Sequence, residues 1–293
     1  MARFGRVLTA MITPFDADGR LDLDGAAALA RWLVGKGNEG LVIAGTTGES
    51  PTLTHDEQIE LVRTVSQAVP VPVLAGAGSN DTRAAVELTE RASEVGAAGI
   101  LSVTPYYNRP SQTGLLAHYR AIAAATDLPV VLYDIPVRAG RKVDTATILE
   151  LAHDVANIVG VKDAAGNPGE TASLLARAPD DFEVYCGDDA LTLPLLAIGA
   201  VGVIGVATHW AAGEMRDMID AFEKGDVVQA RQINARLVSS YAYETGDLNP
   251  NPIPTKAMLK VLGQPGGDCR LPMGPEPAGL QDRARQILAD LGR

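Results

Sequence analysis

The chain has 293 residues, 46% of them hydrophobic and 21% charged, which suits a folded core and is wrong for a disordered chain. Its 36 acidic side chains against 25 lysines and arginines give a net charge of −11, and such a surface repels the phosphate backbone of nucleic acids. Two cysteines, Cys186 and Cys269, are too few for a disulfide framework or a tetrahedral zinc site.

In chain order, Met1 to Phe15 holds no unbroken apolar leader and no cleavage site, which predicts a cytoplasmic chain with reduced thiols. Strands are predicted at Val7–Ile12, Leu41–Ala44, Val73–Ala77, Gly99–Val103, Val130–Tyr133, Ile158–Lys162, Phe182–Cys186 and Gly202–Val206. Helical patterns fall between them, near 22–36, 55–69, 81–95, 111–126, 144–154, 169–178, 189–198 and 211–224. Strands that are apolar throughout are buried on both faces, as in a parallel sheet. Eight strands each followed by a helix predict an α/β fold, a (β/α)₈ TIM barrel. A doubly wound open sheet would want a glycine-rich first turn, whereas the first strand here runs into Thr13-Pro14-Phe15.

Thr54 and Glu57 read as a capping box, and Asp81 and Asp144 stand where helix caps are wanted. The longest apolar run, Leu191 to Ala207, is broken by Pro194, Gly199, Gly202 and Gly205, so it reads as a buried helix and strand and not as a membrane span. Beyond residue 224 the strand signal stops. Helical patterns at 226–246, 252–262 and 279–291 predict a small C-terminal helical domain, 225–293, after a barrel domain, 1–224.

The loops after the strands form the active-site face of a barrel. They hold hydroxyls, one lysine and one arginine, with no histidine cluster for a transition metal. The four histidines, His55, His118, His153 and His209, fall on or beside helices. Of six lysines, only Lys162 ends a strong strand pattern, which aims it into the barrel mouth. A partly dry, carboxylate-poor pocket would disfavour an ammonium there and suit a Schiff-base nucleophile. The other reading is a snorkelling lysine paired with Asp163. Tyr133, at the end of the preceding strand, could shuttle a proton or simply pack. Thr46 and Thr47 could bind a carboxylate, relay a proton or serve turn chemistry. Arg138 could grip a substrate carboxylate or sit solvated in its loop. Tyr106-Tyr107 could be an interface pair, and Cys186 reads as an inert thiol.

Several segments together resemble the 4-hydroxy-tetrahydrodipicolinate (dihydrodipicolinate) synthase family of pyruvate-dependent class I aldolases and lyases. They are Gly-Thr-Thr-Gly-Glu-Ser at 45–50, Thr-Pro-Tyr-Tyr-Asn-Arg-Pro-Ser-Gln at 104–112, Tyr133 through Gly140, and Val-Lys-Asp-Ala-Ala-Gly at 161–166. Cys-Gly-Asp-Asp at 186–189, Asn-Pro-Ile-Pro-Thr-Lys at 251–256 and Arg-Leu-Pro-Met at 270–273 extend the match over nearly the whole chain. The resemblance implies a pyruvate Schiff base on Lys162, with Tyr133, Thr46 and Tyr107 as proton relay and Tyr107 reaching in from a neighbouring subunit. It implies Thr47 on the pyruvate carboxylate, Arg138 on the carboxylate of L-aspartate 4-semialdehyde, and the backbone of Gly187 and Ile204 lining the site. The implied product is 4-hydroxy-tetrahydrodipicolinate, made for lysine and diaminopimelate without a cofactor by a homodimer or homotetramer. The alternative activity is a 2-keto-acid aldolase cleaving N-acetylneuraminate or a 2-keto-3-deoxy sugar acid, against which Arg138 speaks.

The sequence also departs from the family pattern. Gly205 stands where serine is usual and His209 where asparagine is common. In lysine-inhibited members a second pocket at the subunit interface binds lysine. Ser50, His55, Asn80 and Tyr106 match it, but Gln58 replaces a histidine and Ala84 replaces the glutamate facing the lysine amine. The pocket therefore reads as vestigial.

Overall fold

The computed structural model describes residues 2–244, 246 and 248–293. The eight apolar runs form strands β1 (Val7–Ala10), β2 (Gly40–Ile43), β3 (Val73–Gly76), β4 (Gly99–Val103), β5 (Val130–Asp134), β6 (Ile158–Asp163), β7 (Glu183–Cys186) and β8 (Gly202–Gly205). All pair in parallel with their sequence neighbours, and β8 pairs with β1, closing a barrel. The connecting helices are α1 (Leu23–Gly35), α2 (His55–Ala68), α3 (Thr82–Ser93), α4 (Gln112–Ala124), α5 (Pro136–Ala139), α6 (Thr145–Asp154), α7 (Pro168–Leu175), α8 (Thr192–Leu196) and α9 (Thr208–Glu223). Helices α10 (Val227–Glu244), α11 (Ile253–Val261) and α12 (Leu280–Asp290) follow. Among the described residues, no helix is long and apolar enough to cross a membrane.

Strand alternation sorts the core into two layers. Leu8, Val42, Leu74, Leu101, Val131, Tyr133, Tyr185 and Ile204 fill the barrel interior. Their neighbours, such as Val7, Leu41, Val73, Ile100, Leu132, Val161 and Val184, face the helices. Each fully buried aliphatic side chain of this kind contributes about 1.5–3 kcal/mol.

Differences from the sequence reading have local causes. β1 ends at Ala10: Met11 N–H still bonds Val42 O of β2, but the next amide leaves the ladder, Ile12 N–H going to His209 Nε2. The helix expected over 189–198 is realised as a 3-10 turn, Asp189–Leu191, running into α8, and it is closed by Gly199 at φ +111°. The Thr54–Glu57 capping box and the Asp81 cap are present. Asp144, in contrast, makes no capping bond with its side chain. Gln112 tethers that turn instead, its Oε1 accepting from Asp144 N and Thr147 Oγ1. Helix α5 was not anticipated, although Pro136 at its start and Gly140 (φ +71°) at its end are ordinary helix punctuation. The helix expected over 226–246 runs as α10 to Glu244; residue 245 lies outside the described residues.

The C-terminal helices are locked to the barrel mouth by a buried ion pair. Lys256 Nζ of α11 lies 2.6 Å from Glu49 Oε1 in the loop after β2, and their side chains are 3% and 1% exposed. Arg270 N donates to Glu49 Oε2, and the Phe15 ring lies 4.3 Å from both Lys256 Nζ and Arg270 Cζ. Removing one partner of such a pair strands a buried charge. Lys256→Met should therefore cost about 3–5 kcal/mol in denaturant unfolding, and adding Glu49→Leu should recover part of that loss.

Candidate active site

The register across β5, β6 and β7 places Tyr133, Lys162 and Tyr185 side by side. Because Val161 faces the helices, Lys162 faces the barrel interior, where it is 4% exposed. Its Nζ lies 4.3 Å from the centre of the Tyr133 ring. Among the described residues two lysines are buried, Lys162 and Lys256. Lys256 has its carboxylate; Lys162 has none within ion-pair distance among the described residues. The pairing of Lys162 with Asp163 is thereby overturned. Asp163, one residue on, points to the other side, where Oδ1 accepts from Ala165 N and Oδ2 from Thr171 Oγ1.

A cavity of about 500 Å³ opens over Lys162 and is lined by Thr46, Thr47, Tyr133, Arg138 and Gly187 as well. Six sequence-predicted residues thus meet at one place. Thr47 is buried, and its Oγ1 accepts from Asn251 Nδ2 at 2.8 Å, which leaves its own O–H to donate. Arg138 Nη2 donates to Asn251 O at 3.4 Å. Asn251 therefore ties the β2 loop to α5, a role the sequence reading missed. Its only signal was its place in the Asn-Pro-Ile-Pro segment. Gly187 has no room for a side chain: a Cβ would stand 3.0 Å from Lys162 Cε and Cγ and 2.9 Å from Ala164 Cβ.

The expectation of a carboxylate-poor pocket is corrected. Asp188 and Glu244 line the cavity, and Asp189 is buried beside it. Glu244 comes from α10, outside the loops in which the sequence search looked. Burial pushes Asp189 up to about 6, with the Lys162 charge acting in the opposite direction. Glu244 is pushed well up, first by burial and then by Asp189 and Asp188.

Other predicted residues fall elsewhere. Ile204 packs inside the barrel, and Val206, two residues on, lines the cavity. Tyr107 is 90% exposed and outside its own chain's cavity, with its N–H on Ala139 O. Ser50 and Tyr106 line a smaller cavity of about 210 Å³ that shares Thr46 and Arg138 with the first. His55 and Asn80 do not line it: His55 Nδ1 lies 3.8 Å from Glu87 Oε1, and Asn80 O accepts from Asn108 Nδ2. Gln58 Nε2 donates to Ser50 O.

His118 and His209 are buried, and burial lowers each to about 4. His209 is neutral, with Nε2 accepting from Ile12 N and Nδ1 donating to Val206 O. Burial pushes the Cys186 thiol up, away from reactivity. Among the described residues no three His, Cys, Asp or Glu side chains are grouped to hold a metal ion. A wider cleft, about 1300 Å³, lies at the opposite end of the barrel, where Arg6 is already satisfied by Glu39, Asp220 and Glu223.

A buried amine among hydroxyls at the C-terminal face of a parallel barrel defines the class: barrel enzymes that work through a lysine imine. The chain belongs to the dihydrodipicolinate synthetase family, whose model matches residues 3–291. It is 51% identical over 273 residues to a 4-hydroxy-tetrahydrodipicolinate synthase of Moorella thermoacetica, covering 92% of each chain. The fold matches the dihydrodipicolinate synthase of Cyanidioschyzon merolae with lysine bound, at TM-score 0.95, 43% identity and coverage of 99% and 98%. It also matches the Acinetobacter baumannii enzyme complexed with pyruvate, at TM-score 0.93, 34% identity and 99% coverage of both chains.

Crowding at Gly187 gives a direct check on this geometry. Gly187→Ala should displace the Lys162 side chain and slow imine formation with pyruvate by about tenfold or more, read by borohydride trapping over time.

Proposed function

We propose that this protein condenses pyruvate with L-aspartate 4-semialdehyde to 4-hydroxy-tetrahydrodipicolinate, through an imine on Lys162, in the synthesis of diaminopimelate and lysine. The observation that carries the reading is Lys162 itself, an amine buried in the barrel mouth against the Tyr133 ring, with no carboxylate among the described residues within ion-pair distance. An amine adds to a ketone through its lone pair, and Lys162 is the lysine that lines the cavity. Lys162 Nζ attacks the keto carbon of pyruvate, and the hydroxyl of the resulting carbinolamine leaves as water. Tyr133, Thr46 and the Tyr107 of a second copy carry the protons of this step. Thr47, its oxygen engaged by Asn251, donates its hydroxyl proton to the pyruvate carboxylate. The imine then loses a proton from its methyl group to the relay, and the resulting enamine carbon attacks the aldehyde, whose carboxylate rests on Arg138 and whose oxygen takes up a proton. The substrate amine replaces Lys162 on the imine carbon, closing the ring and freeing the enzyme. Backbone around Gly187 and Val206, just after β8, shapes the wall, with Ile204 packed beneath it in the barrel.

The 90% exposure of Tyr107 supports a homodimer or homotetramer, since a tyrosine that serves the site must reach it from another chain. The protein works in the cytoplasm on two small molecules. Residues 1–224 act as the barrel domain and 225–293 as a helical domain that contributes Glu244 and Asn251 to the cavity.

Turnover of pyruvate with aspartate semialdehyde by the purified protein tests the reading. Lys162→Ala should abolish it while the fold persists; turnover by the wild type that survives in Lys162→Ala would reject the nucleophile. The relative with lysine bound suggests a second test. Ala84 offers no carboxylate to a lysine amine, a loss worth about 1.5–3 kcal/mol, or ten- to a hundredfold in affinity. Inhibition by lysine should therefore be weak or absent in a steady-state titration, and half-inhibition at sub-millimolar lysine would contradict this.

A further inference from the structure

We propose that Glu244 selects an aldehyde bearing an α-amino group, by presenting its carboxyl to the substrate ammonium across the cavity from Arg138. The inference rests on the function proposed above and adds a determinant for the second substrate. That aldehyde is a zwitterion beyond its reacting carbon, with one carboxylate and one ammonium. Arg138 is the cation that lines the cavity besides the nucleophile, so the carboxylate has a partner. An ammonium needs an acid, and among the described residues the cavity wall offers two, Asp188 and Glu244. Asp188 is exposed and already accepts from Ala190 N at its own turn. Glu244 is only 7% exposed and held rigidly, its Oε2 accepting from Ala207 N at 3.0 Å.

The surroundings show a site built around this carboxyl. Asp189 Oδ1 accepts from the same Ala207 N–H at 3.1 Å, and Oδ2 accepts from Val206 N at 2.9 Å. Two carboxyl groups converging on one N–H repel unless a proton lies between them. Burial and this neighbour push Glu244 well up, and a cation arriving beside the pair would act in the opposite direction. Space for the pair comes from Gly205, where a Cβ would stand 2.4 Å from Asp189 Oδ1. One turn before Glu244, the Tyr241 hydroxyl is buried with no hydrogen-bond partner among the described residues. The groups that act on the pair are Lys162 from β6, Asp188 after β7 and Tyr241 from α10. His209 of α9 is neutral and adds no charge. A buried acid pair with spare polar capacity, whose Glu244 lines the same cavity as an arginine, suits a substrate with both charges.

The test compares aspartate semialdehyde with succinate semialdehyde, which keeps the aldehyde and carboxylate but lacks the amine. Consumption of the pyruvate imine is followed, a step that precedes any use of the amino group. Wild type should prefer the amino aldehyde by about tenfold or more in kcat/KM. Glu244→Gln keeps the volume and an acceptor for Ala207 N–H. It should raise KM for aspartate semialdehyde about tenfold and leave KM for succinate semialdehyde unchanged, whereas Asp188→Asn should change the ratio little. Equal handling of the two aldehydes by the wild type overturns the proposal whatever the variants do. So does a Glu244→Gln effect that is equal on both aldehydes, or a loss of preference confined to Asp188→Asn. A wild type that forms no imine with pyruvate would instead defeat the proposed function, and this inference with it.

Discussion

One amine buried without a counter-charge in contact among the described residues is the constraint on which the site depends. Lys162 reaches the barrel interior because strand alternation gives it no other direction once Val161 faces the helices. Burying an ammonium is costly, and the fold answers that cost differently for its two buried lysines. Lys256 is given Glu49 at 2.6 Å and becomes a strut. Lys162 is given the face of the Tyr133 ring at 4.3 Å and remains available for chemistry.

The strut and the buried amine of Lys162 are connected through the loop after β2. That loop offers Thr46 and Thr47 to the cavity and Glu49 to α11, so its position depends on the C-terminal helices. Asn251, just ahead of α11, completes the tie by bonding Thr47 and accepting from Arg138. The helices after β8 are therefore part of the active-site construction. They set the hydroxyl and guanidinium positions and bring Glu244 to the wall. Association of substrates with a preformed set of donors of this kind lowers the reorganisation needed at each step.

The barrel was legible because its signal is repeated eight times, each an apolar run followed by a helical pattern. Lys162, Tyr133, Thr46, Thr47 and Arg138 were legible because they end strands or follow them directly, and the fold turns all strand ends to one face. What the sequence hid lies in residues brought from afar. Glu244 sits mid-pattern in a long helix, and nothing local marks it as a cavity residue. Asn251 carries its signal only in a segment distant from every strand. The Asp144 cap failed for a related reason: Gln112, 32 residues earlier, supplies the tether that local spacing assigned to the aspartate. Local rules anticipate local bonds, and tertiary partners can replace them.

The central claim is that Lys162 is the amine that bonds pyruvate. Borohydride reduction with pyruvate, followed by peptide mass mapping, tests it most directly, because the chain has five other lysines as internal controls. The account predicts a single reduced pyruvate adduct, on the peptide that contains Lys162. An adduct on Lys256 or on a surface lysine, or no adduct at all, would contradict it.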